Sequence, residues 1–394
     1  MAKRVFVHIG APKAASTYIQ STLWANRDLL ATAGVCVPGR RHSDHTKVEA
    51  FIRSSTPPTK VSRIYNAVMN EIVECPGTAI LSQEWFTLAS NTQIQDFISH
   101  VKNIHDQEPE IHIIFNARDL ISSVTAAWQE QLKLGYGYSI REIVTNLSAD
   151  STATKGPKYR WKWSTLDPAE VLPRWNTSIP SDYIHVVPVP PRSLGSDELW
   201  NRYSKILGLA DVNVNLSNLN ANESIGVESA VLLQRIGPSL RRAIDVENAN
   251  WRLPHKWIRH YVSNSILSEH SGHKIGLPED VLSILRERAE ASLSFLRDSS
   301  FDIIGALDEL ELYSTENRVC IDDVTDTDML EAASNLIPPL LQRLRNEADR
   351  ADALENENRQ LKSRVHGLRK KLDSSHSKDT SSRPSPLRRL IFRR

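Results

Sequence analysis

The chain has 394 residues, 40% of them hydrophobic, and a formal net charge of +1 at pH 7. That balance supports one sizeable core or two modest ones and argues against a globally basic nucleic-acid binder. Cys36, Cys75 and Cys320 are odd in number and far apart. They read as reduced thiols of a cytoplasmic protein, and no Cys/His spacing suggests a metal. No apolar run approaches the ~20 residues of a membrane span, and a strand-like run already starts at Arg4, so no secretory leader is expected.

The first element is a strand over Val5–Gly10, closed by a glycine. Ala11-Pro12-Lys13-Ala14-Ala15-Ser16-Thr17 follows as a turn, then an amphipathic helix with Ile19, Leu23 and Leu29-Leu30 on one face. Strand, turn and helix make a cradle for an anion, because turn and helix-start N–H groups point at the ligand while lysine and hydroxyls add charge and donors. A nucleotide-hydrolysing loop would place lysine beside its hydroxyl residue after a second glycine. Here Lys13 precedes Ser16 by three positions and no Gly-Lys pair is present. The next strand, Ala79–Gln83, ends at Glu84-Trp85 with no aspartate placed to hold magnesium. Ligands of open α/β sheets sit outside strand carboxyl ends, so Glu84 is a candidate base, with His8 and His45 behind it.

The strand Ile111–Asn116 leads to Arg118-Asp119 and a helix carrying Ser122, Ser123 and Thr125 in its first turns. Arg118 suits bidentate recognition of a dianion; the lesser alternative is that Arg118-Asp119 simply caps a helix. Trp128-Gln129-Glu130-Gln131-Leu132-Lys133 reads as an amphipathic helix face. Tyr159-Arg160-Trp161-Lys162-Trp163 interleaves bases and aromatics, and its indoles are expected to pack on the domain. A fourth strand spans Tyr183–Val189 and is stopped by Pro188, Pro190 and Pro191. Asn222-Glu223-Ser224-Ile225-Gly226 reads as a loop or helix cap. Residues 222–345 lack clear strands and read as helices at Val227–Arg242, His255–Ser268 and Pro278–Ser294.

The C-terminal part changes character. Leu354, Leu361 and Leu368 repeat by sevens, with Ala351, Val365 and Leu372 in the second register and Asn358 at a seam position. That pattern predicts a parallel coiled-coil homodimer. Ser374–Ser385 is polar and reads as disordered, and the basic end from Pro386 to Arg394 carries apolar residues that suit peripheral contact with an anionic membrane.

The Pro12-Lys13-x-x-Ser16-Thr17 turn after Phe6-Val7-His8-Ile9-Gly10 resembles the 5′-phosphosulfate loop of the PAPS-dependent sulfotransferases, and the Arg118 segment resembles their 3′-phosphate site. Trp128–Lys133 and the Tyr183–Leu209 region resemble a bacterial branch of that family, so the resemblance covers residues 4–240. It implies a central parallel sheet flanked by helices and no metal. PAPS would be the sulfuryl donor, held by Pro12, Lys13, Ala14, Ala15, Ser16, Thr17, Arg118 and a nearby hydroxyl, Ser122 or Ser123, with Thr125 as a further substitute. Lys13 and Glu84 would be catalytic. The chain departs from the family where Ala14-Ala15 replaces a glycine and where a later serine on the Arg118 helix is alanine. The implied acceptor is a small molecule or glycan, a carbohydrate or glycolipid hydroxyl. A P-loop kinase and a non-catalytic anchoring protein are the alternatives. The expected organisation is an α/β core over 1–240, a helical continuation over 241–340, a coiled coil over 341–373 and a basic tail over 374–394.

Overall fold

The structure, a computed structural model, describes residues 2–148, 161–216, 224–244, 252–269, 272–311 and 313–380, with side chains as far as 372. Tyr159-Arg160, Asn222-Glu223 and the tail from residue 381, including the expected membrane-contacting end, lie outside the described residues.

Among the described residues eight strands are formed: β1 Arg4–Gly10, β2 Val35–Cys36, β3 Thr78–Ser82, β4 Glu110–Ala117, β5 Ile184–Pro188, β6 Lys274–Gly276, β7 Asp302–Ile303 and β8 Arg318–Cys320. Six of them form a parallel sheet in the order β2-β3-β1-β4-β5-β7. The expected architecture, a central parallel sheet flanked by helices with a helical C-terminal part, is therefore observed. Strands were not expected beyond residue 222, yet β6 pairs with β8 and β7 closes the main sheet. These runs are two or three residues long, too short to show a side-chain period, and only their neighbours select the strand state.

The helices are α1 Ser16–Ala25, α2 Arg27–Thr32, α3 Ser43–Ile52, α4 Thr59–Glu74, α5 Asn91–Asn103, α6 Leu120–Lys133 and α7 Ile140–Leu147. They continue as α8 Trp163–Leu166, α9 Pro168–Asn176, α10 Glu198–Leu207, α11 Val227–Ala243, a π-helix Pro254–Leu267, α12 Glu279–Asp298 and α13 Asp326–Thr380. Strand alternation sorts the core into two faces. Val5, Val7, Ile9, Ile113, Phe115 and Val186 pack with residues of α4, α5 and α9. Phe6, Ile80, Ile114 and Val187 pack on the other face with Ile19 and Leu23 of α1 and Trp200 and Tyr203 of α10. Each such large side chain contributes about 1.5–3 kcal/mol on burial. Trp161 and Trp163 are buried as expected, and the Trp163 indole N–H donates to Ser148 Oγ at 3.0 Å.

Two compact units divide the chain, residues 1–333 and 334–394. The described residues of the second are the helical continuation of α13, whose backbone runs on to Thr380 rather than stopping at 373. No glycine or proline interrupts it between Gly367 and Pro384, so polarity alone does not end the helix. No helix among the described residues is long and apolar enough to cross a membrane.

The cysteine reading is corrected. Cys36 at the end of β2 and Cys75 just after α4 form a disulfide with their Cα atoms 6.2 Å apart, and only Cys320 is free. The two are 39 positions apart in sequence but meet because β2 pairs with β3, which α4 precedes. The inference of a cytoplasmic compartment from reduced thiols loses its basis.

Candidate functional site

The crevice outside the carboxyl ends of β1 and β4 is the point where the chain turns opposite ways, to β2 after β1 and to β5 after β4. The loop after β1 begins at Gly10, whose φ is +121°, and a Cβ there would stand 2.9 Å from the Glu84 carbonyl oxygen. Only glycine meets both conditions. Lys13 and Ala15 also occupy the left-handed region, with φ of 66° and 58°. The position where a glycine was expected thus does need positive φ, which costs alanine about 1 kcal/mol. Ala15 is the N-cap of α1 and gives no side-chain cap; its carbonyl accepts from the Tyr18 and Ile19 N–H groups. The helix start therefore keeps its first N–H groups free of a side-chain cap. Ser16 is buried and its hydroxyl donates back to the Ala11 carbonyl at 3.2 Å, while Thr17 is exposed.

β4 braces this loop from the other side. The buried Asn116 accepts the Ala11 N–H at its carbonyl (2.9 Å), donates from Nδ2 to the Ala14 carbonyl (2.9 Å) and accepts the Tyr203 hydroxyl at Oδ1 (2.6 Å). Neither Asn116 nor Tyr203 stood out in the sequence, because a polar group within an apolar strand and a tyrosine on a helix are ordinary. Two positions on, Arg118 reaches across the crevice and donates to the Lys13 carbonyl at 2.9 Å. The capping alternative falls to its neighbour: Asp119 caps α6, accepting from the Ile121 and Ser122 N–H groups at 3.0 and 3.1 Å. Burial lowers the Arg118 pKa from its ordinary value; Asp119 opposes this, and Arg192 and Arg318 add repulsion. Cations thus gather around Arg118. Ser122 is half-buried, whereas Ser123 is buried and Thr125 donates to the Ile121 carbonyl at 2.7 Å.

The Lys13 ammonium donates to Glu130 Oε2 of α6 at 2.6 Å. Glu130 also takes Arg259 of the π-helix, at 2.8 Å from Oε1 and 3.3 Å from Oε2. Burial would raise the Glu130 pKa, but Lys13 and Arg259 outweigh it and hold the carboxyl at about 2. One carboxylate between two cations leaves a net positive charge beside the loop. Glu130 lies in a stretch that by sequence was only a helix face, and nothing in its spacing pointed to Lys13 117 positions away.

Glu84 follows β3 and is half-buried. Its Oε2 accepts from Gln20 Nε2 of α1 at 2.7 Å, and Gln20 Oε1 lies 2.9 Å from His42 Nε2. An amide oxygen only accepts, so His42 carries its proton on Nε2. Burial lowers the His42 pKa while Glu84 opposes the shift. The other two histidines considered are enclosed. His8 Nδ1 lies 2.7 Å from Ser82 Oγ, and burial brings its pKa to about 3. His45 Nε2 contacts the Pro38 carbonyl at 2.8 Å and its pKa is held at about 4, chiefly by burial.

The structure thus brings Lys13, Arg118 and the start of α1 to one crevice, with Glu84 at its edge through Gly10 and Gln20. Among the described residues no group of three or more His, Cys, Asp and Glu side chains is placed to hold a metal ion. No family model and no curated protein matches the chain. A structural neighbour is a sulfotransferase: the crystal structure of the enzyme from Alicyclobacillus acidocaldarius, 12% identical, matches over 65% of this chain and 95% of that chain with a TM-score of 0.38. At that identity and score the likeness fixes no activity for this chain.

Proposed function

We propose that this chain moves a sulfuryl group from PAPS to an acceptor hydroxyl. The observation that carries this reading is the Arg118 hydrogen bond to the Lys13 carbonyl, which ties the segment after β4 to the loop after β1 beside the start of α1. The donor set suits a nucleotide with anionic groups at both ends. Lys13 and the uncapped start of α1 suit the phosphosulfate, and Arg118 with Ser122 suits the 3′-phosphate. Ser123 is the weaker choice because it is buried. The Lys13 ammonium would stabilise charge on the bridging oxygen as the sulfur–oxygen bond breaks, sharing itself with Glu130 or leaving it. Glu84 would take the proton of the attacking hydroxyl. The Gln20 amide engages Oε2 and leaves Oε1 for that proton. The acceptor class we favour is a carbohydrate or glycolipid.

Thermal shift separates the readings. Stabilisation by 3′,5′-ADP, and not by ATP with magnesium, is the expected result; the reverse would favour a kinase. Turnover is tested by incubating the protein with labelled PAPS and cell extract, and seeking one newly sulfated compound by mass spectrometry. Lys13→Ala should lower that turnover by about 10²–10³. The second reading is an anion-binding module without turnover, favoured by the engagement of Lys13 with Glu130. It predicts stabilisation by 3′,5′-ADP and no sulfated product.

A further inference from the structure

The C-terminal unit carries an apolar stripe that the unit itself does not cover. Leu354, Leu361, Val365 and Leu368 are between 47% and 64% exposed on α13. They fall on the two seam positions of consecutive heptads, with Ala351 and Asn358 completing the series. The stripe follows Pro338-Pro339 and runs through a stretch with no further proline. A lone solvated helix has no use for such a stripe, since its outward faces are served by ion pairs within the helix. One such pair is present away from the seam: Arg345 lies 3.8 Å from Asp349, four positions along.

We propose that the occupant of this face is a second copy of the same helix, parallel and in register. Two observations select it. First, the residues flanking the seam are complementary to themselves. With Ala351, Asn358 and Val365 at the first seam position, parallel pairing sets Arg350 against Glu355 of the second copy and Glu357 against Lys362 of the second copy. Both pairs form twice by symmetry. Arg364 against Arg369 of the second copy is the opposing pair, so attraction outnumbers repulsion two to one. Second, Asn358 meets its own copy only in the parallel arrangement, where one amide donates and the other accepts. An antiparallel pair sets first seam positions against second ones, burying that amide against leucine without a partner. The seam from Ala351 to Leu372 would span about 33 Å at 1.5 Å per residue, three heptads. Asn358 then sets alignment at some cost in affinity, as a buried amide does in a parallel pair.

The test uses the full chain. Sedimentation should give a dimer at micromolar concentration. Leu361→Lys should raise the dissociation constant at least about a hundredfold, because two large apolar contacts are lost and two cations are brought together. The thermal transition of the first unit should be unchanged in that variant, which separates lost pairing from lost folding. Ala351→Cys in a Cys320→Ser background should oxidise to a covalent dimer, since copies of residue 351 face each other only in the parallel, in-register pair. A monomeric full chain would overturn the proposal, as would a dimer that survives Leu361→Lys. A dimer sensitive to Leu361→Lys but not linked through residue 351 would overturn the parallel register. None of these outcomes depends on sulfuryl transfer.

Discussion

Glu130→Gln removes the charge between Lys13 and Arg259 while keeping the shape. Glu130 is 14% exposed in its side chain, and its partners 27% and 23%, so the group is mostly shielded from solvent. Its carboxyl is held at about 2 against an ordinary 4.5. A lowered carboxylate contributes stability above its unfolded pKa and loses it as pH falls through the folded one. At pH 7 that contribution is about 3 kcal/mol, falling to about 1 kcal/mol at pH 3. The variant should therefore be less stable than the wild type by about 2–3 kcal/mol at pH 7, and the gap should close by about 2 kcal/mol at pH 3. Urea unfolding of both proteins at the two pH values measures the gap. The variant also frees Lys13, so its midpoint should rise more with added 3′,5′-ADP than that of the wild type. A gap that does not change with pH would show that Glu130 does not hold its charge against Lys13 and Arg259, and the reasoning would fail.

Arg118→Ala should weaken 3′,5′-ADP by about 10- to 100-fold, the loss of a charged hydrogen-bonded contact, and weaken adenosine 5′-phosphosulfate much less; calorimetric titration of both ligands decides, and equal losses would place the 3′-phosphate elsewhere. Ala15→Gly relieves the left-handed alanine by about 1 kcal/mol and loses about 0.4–1 kcal/mol to the freer unfolded chain. Its stability should stay level or rise slightly, and a loss beyond about 0.5 kcal/mol would mean that φ is not positive there. Reduction of Cys36–Cys75, or Cys75→Ala with Cys36→Ser, should destabilise the first unit by about 2–4 kcal/mol, the range for removing a crosslink that closes a loop of this size; unchanged denaturant midpoints with and without reductant would show that the bond does not form.

Much of the framework was legible without coordinates. Val5–Gly10, Ala79–Gln83, Ile111–Asn116 and Tyr183–Val189 announced buried parallel strands because each is a short apolar run, and a strand buried on both faces tolerates little else. The Pro12–Thr17 turn was legible because a break in that pattern, with glycine before and a helix period after, has few structural solutions. The heptads were legible because their period is local to the chain.

Tertiary structure decided what the sequence left open. Glu130 and Arg259 meet Lys13, Asn116 and Tyr203 brace the loop, and Gln20 joins His42 to Glu84, all between residues distant in the chain. Periodicity records which face of an element is apolar; it carries no record of which polar side chain on another element comes within 3 Å. The disulfide shows the same limit, since only the pairing of β2 with β3 brings Cys36 to Cys75. It also decided the division of labour at Arg118-Asp119. The sequence allowed a cap or an anion site, and the geometry gives the cap to Asp119 and turns Arg118 toward the loop. A side chain's own type limits the contacts it can make, but the packing of sheet and helices determines which of them form.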